Sequence, residues 1–255
     1  MKFRYLAAFA CALVLTLTTA AGADSLQCFE LRTYKASDGK LEALQSRFRD
    51  HTLGLFERHG MTNVGYWVPQ DNKNNELIYL LAYPNRAARD QAWKGFLNDP
   101  DWKAAYKAST ADGKLVSKVT SIFLKPTDYS PALKISSAPT PRAFELRTYT
   151  ASPGNLSHLN ARFRNHTVDL FTKHGMTNFA YFNLMPNQEG AENTLVYFLA
   201  HDSKAAAKAS FDSFRQDPKW KAARKESERL AGGGLTVRGG VKSVFLNPTD
   251  YSPTK

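Results

Sequence analysis

The chain contains nearly the same sequence twice. Residues 29–34, which read FELRTY, return unchanged as residues 144–149. Three further segments recur in the same order: 48–52 as 163–167, 59–63 as 174–178, and 126–131 as 248–253. Because both copies must satisfy the same fold, a position retained in both is constrained by folding, by contact between the copies, or by function.

Each copy shows the pattern strand, helix, strand, strand, helix, strand. In the first copy, residues 29–34 alternate as a strand does, and an apolar stripe then runs along a helix that ends before Gly60. Strands are predicted at 64–68, 77–83 and 116–124, with a second helix at 86–98. A βαββαβ unit of roughly 115 residues predicts a ferredoxin-like α+β sandwich.

One face of such a sheet is covered by its helices and the other needs a partner. The second copy can supply that partner. We therefore expect an α+β protein in which two tandem ferredoxin-like βαββαβ units pack sheet to sheet as an intrachain α/β barrel.

The first 23 residues have the features of an export signal. Lys2 and Arg4 precede a short apolar run, and small residues end at Ala23. We expect cleavage after Ala23 and a periplasmic or secreted protein with no transmembrane segment in the mature chain, because the apolar run is short for a membrane helix. The predicted domains are 1–23 for the signal peptide, 24–131 and 144–255 for the two copies, and 132–143 for a linker.

Composition narrows the classes of function. The formal net charge is +11, but the excess is spread along helices and no nucleic-acid motif accompanies it, so no nucleic-acid partner is expected. The positive field favours anionic ligands. Cys28 is the only cysteine left after cleavage, which excludes an internal disulfide or a thiolate cluster. No metal-binding or phosphate-loop motif is found, so neither a metal nor a cofactor is predicted.

The order of the repeated motifs resembles the NIPSNAP family. The motifs are Glu-Leu-Arg-Thr-Tyr, a helix with Phe and His-Thr, His-Gly-Met, an aromatic strand, Asp-Pro-x-Trp, and a terminal Ser-Pro. The resemblance covers both copies and implies domains of the dimeric α/β-barrel type without implying a known reaction. Eukaryotic members are linked to mitochondria and to vesicle or mitophagy roles. The predicted export signal argues against assigning these roles to this chain.

The first strand carries the main candidate site. Alternation places Glu30, Arg32 and Tyr34 on one face, and we expect that face to point into the barrel while the apolar face meets the helices. The second copy repeats the set as Glu145, Arg147 and Tyr149. One interpretation is a structural ion pair that sets the register of the sheets. The other is an arginine that binds a carboxylate or another anion, with Glu as acid or base and Tyr as donor.

Further candidates lie on the third strand and the first helix of each copy. Tyr79 and Tyr197 either pack in the core or contribute to an aromatic wall for a flat apolar molecule. His51 and His166 fall on the predicted apolar stripe, which favours buried, hydrogen-bonded histidines over general bases at the barrel rim.

Three functions are compatible with these residues. We expect a protein that binds a small apolar, aromatic or anionic ligand in its barrel. The alternatives are a cofactor-independent monooxygenase or isomerase of the same barrel type, and a purely structural or interaction module. An enzyme would let one copy degenerate, whereas both copies keep their Glu, Arg, Tyr and His positions. This retention favours shared roles in the fold or in the interface between the copies, and two equal sites are the alternative. Further oligomerisation is compatible with the fold.

Overall fold

The computed structural model describes residues 27–138 and 140–255, so the predicted signal peptide lies outside the described residues. The first repeat contains β1 (Cys28–Ala36), α1 (Leu41–Arg47), α2 (Leu53–Arg58), β2 (Thr62–Pro69), β3 (Glu76–Tyr83), α3 (Arg86–Asn98), α4 (Pro100–Ser109) and β4 (Val116–Pro126). The second contains β5 (Ala143–Ala151), α5 (Leu156–Arg162), α6 (Val168–Lys173), β6 (Thr177–Leu184), β7 (Thr194–His201), α7 (Lys204–Gln216), α8 (Pro218–Leu230) and β8 (Thr236–Pro248). None of these helices combines the length and the apolar character needed to cross a membrane.

The eight strands form one closed barrel in the order β1-β3-β2-β8-β5-β7-β6-β4. All of the strand pairs are antiparallel. The two repeats meet at two short seams, β2 with β8 and β4 with β6. The predicted intrachain barrel of two βαββαβ units is therefore confirmed.

The closing motif of each repeat reaches across to the other repeat. Tyr251 packs on Tyr66 with ring centres 5.6 Å apart, and Ser252 Oγ accepts a hydrogen bond from the Tyr66 amide at 2.9 Å. Asp250 accepts two hydrogen bonds from Arg49, at 2.8 and 2.9 Å. The closing motif of the first repeat makes the equivalent contacts with the second repeat. Tyr129 and Ser130 contact Tyr181, and Asp128 accepts two hydrogen bonds from Arg164. Contact between the copies therefore explains why this motif occurs twice.

The barrel interior is filled by apolar side chains from both repeats. Trp67 lies near its centre, 5.4 Å from Phe144 and 5.3 Å from Phe198 between ring centres. A side chain at Gly65 would collide with this indole, since a Cβ there would lie 2.2 Å from the ring. The other buried members are Phe29, Leu31, Val64, Ile78, Leu80, Ala82, Leu124, Leu146, Phe179, Ala180, Phe182, Leu184, Val196, Ala200 and Leu246.

The prediction for the two faces of the first strand was wrong. Phe29 and Leu31 point into the barrel, whereas Glu30, Arg32 and Tyr34 lie on the outer face of the sheet, beneath the helices. The same inversion holds for Glu145, Arg147 and Tyr149. The physical reason is hydrogen bonding: a buried ion pair needs polar partners, which the apolar barrel interior lacks and which Arg89 and Trp93 of α3 supply on the outer face.

The first helix of each repeat is interrupted by a π-helical turn, at Phe48–Thr52 and at Phe163–Thr167. The wider turn adds a residue and rotates the rest of the helix about its axis, so Thr52 rather than His51 is buried. His51 and His166 are exposed, and the prediction that they lie on the buried stripe was wrong.

Candidate functional site

Glu30 is a fully buried carboxylate at the centre of a polar cluster. It pairs with Arg32 on its own strand and with Arg89 of α3, which donates two hydrogen bonds at 2.8 and 2.7 Å. Trp93 Nε1 and Ser121 Oγ donate at 3.0 and 2.6 Å. Burial opposes ionisation, but the hydrogen bonds from Arg89 and the charge of Arg32 outweigh it and lower the pKa of Glu30 to about 2. Glu30 is thus a permanently charged anchor rather than an acid or base.

Arg32 connects this anchor to two tyrosines. Its Nε donates to the hydroxyl of Tyr79 at 2.9 Å, and its Nη2 donates to the hydroxyl of Tyr34 at 3.1 Å. The guanidinium lies over the Trp93 ring, 4.3 Å from its centre. The structure therefore brings Glu30, Arg32, Tyr34 and Tyr79 together.

The second repeat builds a looser version of the cluster. Arg147 pairs with Glu145 and donates to the hydroxyl of Tyr149 at 3.1 Å. No partner within the described part of the chain hydrogen-bonds Arg147 Nε, and the guanidinium lies near the ring of Tyr197. His201 takes the place of Tyr83 and lies 3.2 Å from Glu145 through Nε2. Burial again opposes the ionisation of Glu145, and His201 and Arg147 lower its pKa overall.

A cavity of about 520 Å³ opens between this outer sheet face and the helices of the first repeat, and we call it the first pocket. Its aromatic walls include Tyr34, Phe48, Phe56, Trp93, Phe96, Trp102 and Tyr106. Among the described residues that line it, Arg32, Arg47, Arg89 and Lys118 are basic and none is acidic. The lining therefore combines flat apolar surfaces with excess positive charge.

Arg47, the last residue of α1, supplies the uncompensated charge in the first pocket. Its residue exposure is 5%, and it forms no ion pair with any residue in the described ranges. Its Nη1 donates to Ser109 Oγ at 3.3 Å, and the guanidinium lies 5.2 Å from the Trp102 ring centre and 5.5 Å from that of Tyr106. Its Nε has no hydrogen-bond partner there. Burial lowers the pKa of Arg47.

Arg47 was not identified from the sequence, although a signal was present. An arginine precedes the repeated phenylalanine in both copies, as Arg47 before Phe48 and as Arg162 before Phe163. An arginine next to an apolar helix stripe is readily interpreted as a surface residue whose stem packs on the core. In the structure α4 covers Arg47 instead, through contacts of Trp102, Tyr106 and Ser109 with the guanidinium.

The equivalent cavity in the second repeat, which we call the second pocket, measures about 420 Å³. Arg162 occupies the position of Arg47 and lies over the ring of Trp220 at 5.2 Å. Here a carboxylate is present, because Glu228 of α8 also lines the cavity. The Glu228 Oε1 lies 4.0 Å from Arg162 Nη1 and 2.9 Å from Arg224 Nε.

The histidines contribute nothing to either pocket lining. His59 and His174, at the ends of α2 and α6, hydrogen-bond Asp99 and Asp217 at 2.7 and 2.8 Å and so link two helices of each repeat. Across residues 27–138 and 140–255, no group of three or more His, Cys, Asp or Glu side chains is placed to hold a metal ion.

One family of known sequences matches both repeats of the chain. The sequence model of the NIPSNAP family matches residues 29–131 and 144–253. No curated protein matches the chain.

Solved structures share the architecture. A suggested monooxygenase from Lactobacillus acidophilus has a TM-score of 0.57 at 11% identity, over 88% of this chain and 94% of its own. An anthrone oxidase-like protein has a TM-score of 0.57 at 14% identity, over 88% and 91%. An uncharacterised NIPSNAP domain protein from Burkholderia xenovorans is 23% identical over 41% of this chain and 99% of its own, with a TM-score of 0.37. At these identities the likeness shows the fold alone.

Proposed function

This chain belongs to the NIPSNAP family, and we propose that it binds a small anionic ligand in the first pocket. The site is the space between sheet and helices, because apolar side chains of the described residues fill the barrel interior. With the export expected from the sequence, the protein meets this ligand outside the cytoplasm.

One observation carries the proposal: Arg47 is buried and no described residue neutralises it. A buried charge without a partner costs several kcal/mol, so stability alone favours an apolar side chain at this position. An anion that enters the pocket pairs with the guanidinium where water is largely excluded. Charge-assisted hydrogen bonds of this kind are stronger than hydrogen bonds between neutral groups.

The walls of the pocket support a ligand with a flat body. Phe48, Trp93 and Trp102 line the cavity around the arginines. Aromatic faces of this kind stack well on planar apolar groups. A volume near 500 Å³ is within the ordinary range for small-molecule sites.

The test uses the mature protein, residues 24–255, and 2-naphthoate as an anionic probe. We expect 2-naphthoate to raise the melting temperature and to quench tryptophan fluorescence, while the neutral 2-naphthamide does neither. Arg47→Gln should weaken binding at least tenfold, since one charge-assisted bond contributes about 1.5–3 kcal/mol. The matched control, Arg162→Gln, should leave the affinity unchanged. Equal loss in both variants would contradict the assignment of the site.

A cofactor-independent oxygenase acting in the same pocket is the second candidate. The fold likeness to an anthrone oxidase-like protein over 88% of the chain favours it. Such a reaction needs a base to ionise the substrate. No His, Asp or Glu is among the described residues that line the first pocket, and burial raises the pKa of Tyr79 well above its usual value. Binding is therefore the better supported function, and oxygen uptake on addition of anthrone would reverse this preference.

A further inference from the structure

The two pockets differ in the charge that the protein places beside the buried arginine. In the second repeat, Glu228 presents its carboxylate to both Arg162 and Arg224. The residue at the same distance along the chain from the repeated Asp-Pro-x-Trp motif of the first repeat is Thr110. Its hydroxyl donates to the Tyr106 carbonyl oxygen at 2.7 Å. Arg162 thus has a carboxylate of the protein beside it, whereas no acidic side chain among the described residues lines the pocket of Arg47.

Glu228 shows which chemistry this arginine position accepts. A carboxylate matches the planar fork of a guanidinium and can bind it through two oxygens. The side chain of Glu228 is 31% exposed and that of Arg162 is 7% exposed. The carboxylate therefore enters from the mouth of the pocket and meets the arginine at its inner end. In the first repeat, the corresponding space is open to a carboxylate from outside the chain.

The mouths of the two pockets also differ. Leu97, Tyr106 and Val119 line the first pocket and are 52%, 48% and 47% exposed. Arg215 and Arg224 stand at the positions of Leu97 and Tyr106 in the second pocket. Large apolar side chains exposed together at a cavity mouth are typical of a surface that contacts a ligand. Val241, the counterpart of Val119, lines the second pocket and is 45% exposed. The first mouth therefore presents more apolar surface than the second.

We infer that the ligand is a carboxylate with a flat apolar body, bound once per chain, and that Glu228 closes the second pocket to it. This inference rests on the anion-binding function proposed above and specifies the ligand class. The carboxylate pairs with Arg47, the body lies against the aromatic walls of the first pocket, and its far end contacts the apolar mouth. The second repeat keeps the arginine and places a carboxylate of its own 4.0 Å from it.

Isothermal titration with 2-naphthoate tests the inference through the number of sites. The mature protein should bind one 2-naphthoate. Glu228→Thr should bind two, because it removes the carboxylate beside Arg162; the second site should be the weaker, because Arg215 and Arg224 replace two apolar side chains at its mouth. Ser109→Glu should weaken binding at least tenfold, because it places a carboxylate at the residue that hydrogen-bonds Arg47. Acetate, which has the carboxylate but no apolar body, should bind at least tenfold more weakly than 2-naphthoate.

The outcomes separate this inference from the function on which it rests. Two sites in the unmodified protein, or one site in a folded Glu228→Thr variant, would overturn closure by Glu228 while leaving anion binding intact. Equal affinity for 2-naphthoate and 2-naphthamide would overturn the carboxylate class. Absence of binding in both the unmodified protein and Glu228→Thr would overturn the proposed function itself. If Ser109→Glu does not fold, the number of sites in Glu228→Thr decides alone.

Discussion

The guanidinium of Arg47 lies 5.2 Å from the centre of the Trp102 ring, and no carboxylate of the described chain pairs with it. Its counterpart Arg162 has the same relation to Trp220 at 5.2 Å but meets Glu228 at 4.0 Å. The two repeats therefore hold an arginine over equivalent tryptophans with different neighbouring charges. This difference underlies the proposed function and has several measurable consequences.

Replacing Arg47 should stabilise the protein. Arg47→Met keeps most of the apolar stem and removes a buried charge that lacks a carboxylate partner, so we expect the free energy of unfolding in urea to rise by about 1 kcal/mol. Arg162→Met removes a compensated charge and leaves Glu228 without one of its partners, so it should stabilise less or destabilise. A clear loss of stability in Arg47→Met, larger than that in Arg162→Met, would indicate a purely structural role for Arg47.

Neutralising the buried carboxylates should affect the repeats unequally. Glu30→Gln leaves two arginines, Arg32 and Arg89, without their partner, and we expect a cost of about 3 kcal/mol. Glu145→Gln leaves only Arg147 and should cost less. Urea unfolding of the two variants measures both values, and equal costs would contradict the two-arginine arrangement around Glu30.

The same carboxylate predicts a dependence of stability on pH. The pKa of Glu30 is about 2 in the folded protein and is lowered from 4.5. Its contribution is therefore fully present above pH 4.5 and is lost as the pH falls towards 2. Unfolding measured across this window should show a steeper loss of stability in the unmodified protein than in Glu30→Gln. Parallel curves would show that Glu30 is not stabilised as an anion.

The exchanged closing motifs should be the main determinant of contact between the repeats. Tyr251→Ala removes a ring packed on Tyr66 in the other repeat, and we expect a loss of about 2–4 kcal/mol. Tyr129→Ala, its counterpart, should cost a similar amount. The control Asp250→Asn, which weakens an exposed pair with Arg49, should have a much smaller effect. If the two tyrosine variants differ widely from each other, the two seams do not contribute equally.

The exposed histidines should prove dispensable. His51→Ala and His166→Ala change side chains in contact with solvent, so we expect melting temperatures within about 1 °C of the unmodified protein. Binding of 2-naphthoate should be unchanged, which isothermal titration would verify. Weaker binding in either variant would indicate that the substituted histidine belongs to the binding site.

Much of the fold could be predicted from the sequence because duplication constrains it. The repeated strand and helix patterns indicated two βαββαβ units, and an uncovered sheet face in each required the other. The orientation of the first strand could not be predicted in the same way. Alternation separates Glu30 from Phe29, but which of them faces the helices depends on how the closed barrel excludes water.

The candidate site was predicted in part. The repeated Glu30, Arg32 and Tyr34 do form a cluster with Tyr79, although on the opposite face of the sheet from the one expected. Arg47 could not be predicted because its burial depends on tertiary contacts with α4, which the hydrophobic pattern of its own helix does not show. The contrast between Arg47 and Arg162 becomes informative only when Glu228 is placed beside Arg162.

A crystal structure of the mature protein soaked with 6-bromo-2-naphthoate tests the central claim most directly. Anomalous scattering from bromine locates the ligand independently of its orientation. We expect one bromine peak per chain at the mouth of the first pocket, with the carboxylate in contact with Arg47. A peak in the second pocket or within the barrel, with the first pocket empty, would contradict this claim.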